Sequence, residues 1–443
     1  MTPIVDVLQR HPWVGAARWN DDRTAIVVRP DAAAIAVRPV PGTLLTEHLA
    51  HWQHVYEFVY TAAADRHGDD LDLSGWRASD TGAPFPKAHM LEWIDHAVGL
   101  VLRSRPHVVL EIGCGSGLLA HRIHRHVGGY VGLDVAEPVV ARLREQRLPG
   151  VRVLRAAAHE LASEPVAAAV RGADGGAAAP DCVVLNSVTQ CFPDERYLTA
   201  VLSDALDLVA AGGTVVVGDI RNLGTAVEYA RWLESAREPG LTEDEVARRA
   251  DARSAAEEEL LCDPRIFARI ARQHRRDIRT ACYAKPFRDD TELTRYRYDI
   301  VYTVDAPPPP PAAAVDWADL PGPPADRLGR LSDAPGTVVT GIPNALLDKE
   351  TPGAVRPAEL AAAAPPGWSV LLDSPDARRL AVGAPDRYPG SEALDGSALR
   401  PLCNDPFDRF VRQRLPEVLI DHLDTHAATP IPRIVVAEEP TPR

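Results

Sequence analysis

The chain has 443 residues, 46% hydrophobic and 25% charged, with a net charge of −14. That length allows about two to four domains, and the composition is that of a folded globular protein. The acidic balance excludes a general nucleic-acid backbone binder, which needs a basic face. No apolar run is long enough to span a membrane, and the N-terminus lacks the basic start and apolar core of a signal peptide. The six cysteines (114, 182, 191, 262, 282 and 403) form no CxxC pair, so neither a disulfide framework nor a metal site is expected. Cytoplasm is the default compartment. The near absence of lysine beside abundant arginine reads as coding bias, and the 40 prolines mark where packed elements stop.

The first fifty residues predict a short helix at 5–11 and strands at 25–29 and 34–38. That is too little chain for an independent core, so this piece must pack on something else. From 90 to 305, helical spacing alternates with short apolar runs. Residues 90–103 predict a helix. Runs at 107–112, 130–133, 151–154, 182–185 and 214–218 are apolar on both faces, as buried parallel strands are. Helices are expected at 118–126, 138–147 and 195–209. The alternation implies a doubly wound α/β sheet. A surface loop is expected at 172–176, and a further strand at 298–304. Pro307 to Pro311 cannot be helix or inner strand, and read locally they are an inter-domain linker. Beyond them come strands at 337–340, 368–372 and 379–382 and a helix at 405–423, and the tail after Pro430 is expected to pack loosely.

The sharpest local signal is LEIGCGSGL at 110–118. Gly113, Gly115 and Gly117 permit a tight turn in which a ligand lies against bare amides at a helix N-terminus. Glu111 ends the strand before the turn. Asp134 closes the next strand, 21 residues past Gly113, where an acid can take both hydroxyls of a ribose. The dehydrogenase spacing GxGxxG is broken by Leu118. E-x-G-x-G-x-G followed by a strand-ending acid is instead the pattern of S-adenosylmethionine (SAM) methyltransferases. Glu111, Gly113, Cys114, Gly115, Gly117, Asp134 and Val135 are therefore the candidate cofactor residues, joined by Asn186 and Ser187 at the end of the fourth strand.

Eight further strings, in order, resemble one family: WQHVYE at 52–57, WRASDTG at 76–82, EWID at 92–95, LNSVTQCFP at 185–193, GDIRN at 218–222, EEELLCDP at 257–264, ELTRYRYD at 292–299 and VTGIPN at 339–344. These resemble the methyltransferase domains embedded in the adenylation domains of nonribosomal peptide synthetases, mostly N-methyltransferases. The resemblance spans roughly 50–385 and so makes the proline-rich segment 305–325 an internal loop. Residues 4–30 and 403–436 are more faintly similar to the two halves of an adenylation domain's small C-terminal subdomain.

The resemblance implies a Rossmann-like class I SAM methyltransferase sheet at 49–388. It also implies a small discontinuous α+β remnant built from 1–48 and 389–443. No Gly-rich ATP loop is present, so no adenylation is expected and the substrate is met in trans. The implied activity is N-methylation of an amino-acid-derived small molecule or a carrier-bound aminoacyl or peptidyl group in natural-product biosynthesis. The alternatives are O-methylation of a carboxylate or hydroxyl, and a catalytically silent assembly-line partner. The oligomeric state stays open. Three positions depart from the family's pattern: Asp80, Cys191 and Thr291.

Methyl transfer needs an aligned nucleophile and a proton acceptor. Candidates at the acceptor end are Arg221 and Asn222 after the fifth strand, Glu259 in a glutamate run expected on a helix, and Glu292 beside Arg297. Asp80 is a weaker candidate for holding a cation, and His159 for touching the adenine. Tyr56 and Tyr60, at helical spacing, read as core.

Overall fold

The computed structural model describes residues 4–62, 70–173, 176, 179–310, 312–331, 336–386, 401–426 and 431–437. In chain order the helices of eight residues or more, with the short ones between them, are α1 (Ile4–Leu8), α2 (Thr43–Ala62), α3 (Lys87–Leu102), α4 (Ala120–Ile123), α5 (Glu137–Glu145), α6 (Glu164–Ala173), α7 (Glu195–Leu208), α8 (Ala226–Arg237), α9 (Glu243–Ala255), α10 (Arg265–Gln273), α11 (Glu292–Arg295), α12 (Pro324–Gly329), α13 (Pro357–Ala363) and α14 (Pro406–His426). The strands are β1 (Val14–Trp19), β2 (Ala25–Pro30), β3 (Val108–Ile112), β4 (Gly129–Asp134), β5 (Val151–Arg155), β6 (Cys182–Asn186), β7 (Thr214–Arg221), β8 (Ile278–Ala284), β9 (Arg297–Val304), β10 (Ala313–Asp316), β11 (Thr337–Pro343), β12 (Ser369–Leu372), β13 (Arg379–Gly383) and β14 (Arg433–Val436).

Eleven strands form one sheet in the order β10-β11-β13-β12-β8-β9-β7-β6-β3-β4-β5. From β5 to β7 every pairing is parallel, and β9 and then β8 add antiparallel. Both faces are covered. Val108, Leu110, Val183, Leu185, Val215 and Val217 pack on the side of α7, whereas Val109, Val184 and Val216 pack on the side of α3. That explains the unbroken apolar runs, because each aliphatic side chain so buried contributes about 1.5–3 kcal/mol. The sheet order reverses between β3 and β6, which opens a crevice beyond the carboxyl ends of these strands.

The proline run joins β9 to β10, and both lie in this same sheet, so it is an internal connection and not a linker between sheets. A second, three-stranded sheet has the order β1-β2-β14, with β14 parallel to β2 through Ile434 opposite Ile26 and Val436 opposite Val28. Ile434 and Val436 are buried, so the tail after Pro430 is not loose over 433–436.

Several local expectations fail for visible reasons. The segment 34–38 is a turn and not a strand, because Asp31 Oδ1 accepts from the amides of Ala33 and Ala34 and folds the chain back. Strand β1 was not anticipated. The helix expected at 118–126 is regular only over the four residues of α4. Residues 172 and 173 close α6, while 174 and 175 of the expected loop lie outside the described residues. Among the described residues, no helix is long and apolar enough to cross a membrane, and no cluster of His, Cys, Asp or Glu could hold a metal.

Candidate active site

A cleft of about 970 Å³ opens beyond the carboxyl ends of β3, β6 and β7. Its inner wall is the glycine turn after β3. Gly113 has φ +71°, and a Cβ there would lie 2.3 Å from Val188 Cγ2; Gly115 has φ +49°, and its Cβ would lie 2.8 Å from the Tyr60 hydroxyl. Only glycine fits either place. The amides do not stand bare as expected. Those of Gly113 and Cys114 donate to Leu133 O, that of Gly115 donates to Asp134 Oδ2 at 2.9 Å, and that of Gly117 donates to Cys114 O. The turn thus offers a ligand close backbone approach more than spare donors, and the four-residue α4 adds no helix terminus of consequence.

Glu111 is on the cleft wall, 3% exposed, and accepts from the Tyr130 hydroxyl. Burial pushes its carboxyl up to about 8, with the Asp134 charge adding and the Tyr130 hydrogen bond opposing. Asp134 stands behind the turn, its Oδ1 accepting from the Ala136 amide, and burial raises its carboxyl against these amide bonds. Each of its oxygens keeps capacity for a second donor. Asn186 and Ser187 border the cleft at the end of β6. Burial also raises the Cys114 thiol well above the ordinary range. Gly117, Asp134, Val135 and Asn222 are not on the cleft wall. Asn222 is a correction in particular: its Oδ1 accepts from the Gly224 amide and its Nδ2 donates to Pro375 O, so its side chain ties β7 to the 375–377 turn.

The outer wall carries the acceptor-end candidates. Arg221 holds Glu259 at 2.6 Å and Glu257 at 2.9 Å, and its guanidinium lies 5.0 Å from the centre of the Tyr229 ring. Against the pull of burial, Glu259 and then Glu257 raise the Arg221 pKa. The glutamate run is not helical: α9 stops at Ala255 and residues 257–259 form a loop. Glu292, 6% exposed, accepts from the Ser79 amide at 3.1 Å and the Ser79 hydroxyl at 2.9 Å. Burial raises its carboxyl, with Arg297 opposing. Asp80 turns away and accepts from the Thr81 amide, and His159 Nδ1 pairs with the Tyr197 hydroxyl at 2.8 Å; neither lines the cleft.

Residues 110–215 match the family model described as a methyltransferase domain. The chain is 32% identical to the chondramide synthase cmdD of Chondromyces crocatus over 78% of its own length and 9% of that protein. It is 32% identical to CymA of Salinispora arenicola, a probable non-canonical nonribosomal peptide synthetase, over 95% of its length and 5% of that protein. The chain is a SAM-dependent methyltransferase of the nonribosomal-peptide-synthetase type. It spans less than a tenth of the length of either relative. Among solved structures, the N-methyltransferase NodS of Bradyrhizobium japonicum overlaps 49% of this chain and 87% of its own, at 13% identity and a TM-score of 0.33, too slight to bear on function. The eleven-stranded sheet carries the class I methyltransferase arrangement in its β5-to-β8 half.

Beneath the methyltransferase cleft lies a charged cluster that pattern reading missed. Asp219 sits at a bulge where β7 shifts register against β9, with φ +61°. Its carboxylate accepts from Trp93 Nε1 at 3.1 Å, Ser187 Oγ at 2.9 Å and Arg297 Nη1 at 2.7 Å. Burial would raise its pKa, but Arg297 and then Lys285 hold it below the ordinary value. Lys285, fully buried, reaches Asp299 at 2.5 Å, and His96 Nε2 lies 2.8 Å from the same carboxylate. Ser187 also has positive φ, +56°, so two strained residues are bonded to each other at the cleft floor. The available signal was the lysine itself, since a chain with only three of them keeps one buried at 285. The aromatics Tyr56 and Tyr60, read as core, line the cleft instead.

Proposed function

We propose that this methyltransferase methylates an amine nitrogen of an amino-acid-derived small molecule or of a carrier-bound aminoacyl or peptidyl group in natural-product biosynthesis. The observation that carries this reading is Glu292. Its carboxylate is held by two neutral donors from Ser79 and, among the described residues, has no arginine or lysine within ion-pair distance. Its pKa is raised by burial, which makes it a stronger base than an exposed carboxylate. Glu259, paired to Arg221, is less free to take a proton and positions that guanidinium instead.

The glycine turn, Glu111, Asp134 and Asn186 are the residues that would hold the cofactor. Glu111 suits its amino group and Asp134 its ribose. Bound SAM would supply a methyl group activated by its sulfonium, with a neutral thioether as the leaving group, so the chain's own work is positioning and proton removal. Glu292 binds the acceptor ammonium and accepts its proton. Arg297 and Arg221 stand near enough on the same side to oppose the rise of its pKa. The relatives' synthetase names support an aminoacyl or peptidyl acceptor. We further infer that 49–388 is the methyltransferase domain and that 1–48 and 389–443 are two halves of one small domain, a division supported by the pairing of β14 with β2.

Isotope-labelled SAM and a panel of amino acids, free and as N-acetylcysteamine thioesters, test the reading by mass spectrometry. Label on nitrogen is expected, with Glu292→Gln lowering turnover about 100-fold or more. Label on oxygen would replace the reading by O-methylation.

A further inference from the structure

Two cysteines far apart in sequence, Cys262 and Cys403, meet just behind the loop that carries Glu257 and Glu259. They pair across an isolated antiparallel β-bridge, in which the Asp263 amide donates to Leu402 O at 2.8 Å and the Asn404 amide to Leu261 O at 3.4 Å. Those flanking bonds make 262 and 403 the non-hydrogen-bonded pair of the bridge. In that register facing Cα atoms approach to about 4.5 Å and side chains come closest. The two sulfurs lie 3.7 Å apart. A disulfide needs Cα atoms roughly 4.4–6.8 Å apart, so turning the two side chains closes the sulfurs with the backbone in place.

Cys262 is the anchored partner. Its amide donates to Arg221 O, and its carbonyl accepts from the Leu223 amide and the Tyr298 hydroxyl. Cys403 belongs to the segment that enters α14. Both thiols are free and buried. Cys403 is 6% exposed against 0% for Cys262, so it is the sulfur that meets a reagent first. The Cys262 contact and then burial hold the Cys403 thiol well above the ordinary range. Exchange is therefore slow at neutral pH and quickens as pH rises.

We propose that Cys262 and Cys403 are a reversible disulfide site, which a low-molecular-weight disulfide oxidises to tie the Arg221 loop covalently to the segment entering α14. The Cys403 thiolate attacks the small disulfide, forms a mixed disulfide and expels one small thiolate. The Cys262 thiolate then attacks the Cys403 sulfur and expels the second. Two protein thiols are oxidised, one small disulfide is reduced to two thiols, and the two protons pass through solvent to the leaving thiolates.

The full chain, held to equilibrium at alkaline pH in buffers of rising oxidised-to-reduced glutathione ratio, tests this. Free thiols are then alkylated and the peptides mapped by mass spectrometry without reduction. A peptide linking Cys262 to Cys403 should grow with the ratio and vanish on adding dithiothreitol. The linked protein should melt roughly 3 °C or more higher, because the bond closes a long loop of the unfolded chain. Hydrogen exchange over 257–262 should slow about tenfold. Cys403→Ser should abolish both the linked peptide and the melting shift, whereas Cys191→Ser, at the partly exposed thiol, should keep them. The proposal is overturned if the most oxidising buffer yields only a glutathione adduct on Cys191, or if the linked peptide forms only in urea.

Discussion

Glu111 shows how one buried side chain couples the cofactor site to pH. An ordinary glutamate would be ionised at neutrality, but burial moves this carboxyl up to about 8. Between its unfolded value near 4.5 and that folded value, the native protein keeps a proton that the unfolded chain releases. Stability contributed by this group is therefore fully present at low pH and declines as pH rises through the window, by up to about 1.4 kcal/mol per pH unit for one proton. Thermal melts of the ligand-free protein at pH 6 and pH 8 should show a fall in melting temperature that is smaller in Glu111→Gln. A fall of equal size in both would assign the effect to another group. The same residue was legible from the sequence, since it ends a strand just before a glycine turn. Its pKa was not, because that follows from the burial of its carboxyl, which the packing around the turn sets and the local motif does not. Asp219 was invisible for a similar reason: its partners come from Trp93, Ser187, Lys285 and Arg297, on four separate elements.

Elements with strong periodicity or a local motif were readable: α3, β3, β4, β6 and β7 lie where the apolar pattern puts them. The loop at 257–262 was not, although a signal existed. Three successive glutamates at the carboxyl end of α9 would face the negative pole of the helix, which favours ending it at Ala255. What then holds this loop is remote in sequence. Asn404 Oδ1 accepts from the Leu261 amide at 2.7 Å, and its Nδ2 donates to Glu259 O at 2.9 Å. Cys262 and Cys403 face each other across an isolated β-bridge with their sulfurs 3.7 Å apart. The segment after residue 400 thus braces the loop that carries the Arg221 partners. Asn404→Ala should speed hydrogen exchange of peptides covering 257–262 about tenfold, as expected for a loss of roughly 1–2 kcal/mol of local hydrogen bonding. Peptides from β3 should be unaffected. Unchanged exchange at 257–262 would mean that the Arg221 ion pairs and the loop's bonds to Gln190, Arg221 and Tyr298 hold it without Asn404.

Across the whole molecule, α2 is the member that connects the small sheet to the cleft. Its first turns belong to the small unit. Leu44 and Leu45 are buried with Val7 and Leu8, and His48 packs edge-on against both Phe407 and Phe410 of α14. Arg414 of α14 pairs with Glu47 at 2.5 Å. Its last turns carry Tyr56 and Tyr60 over the glycine turn. The placement of Trp52, Tyr56 and Tyr60 is therefore set from two ends, one of them built from chain segments some four hundred residues apart. This is why the spacing of Trp52, Tyr56 and Tyr60 read as core: periodicity reports which face is apolar, not what that face covers. Deleting residues 431–443 removes β14, leaves β2 as an exposed edge and withdraws the support under α14. The shortened chain should melt at a lower temperature. It should also bind SAM more weakly, by about threefold to tenfold, although none of the described residues 431–437 borders the cleft. Calorimetry below the new melting temperature separates the two effects. Full SAM affinity in the folded, shortened protein would show that Arg142 and the glycine turn hold α2 by themselves.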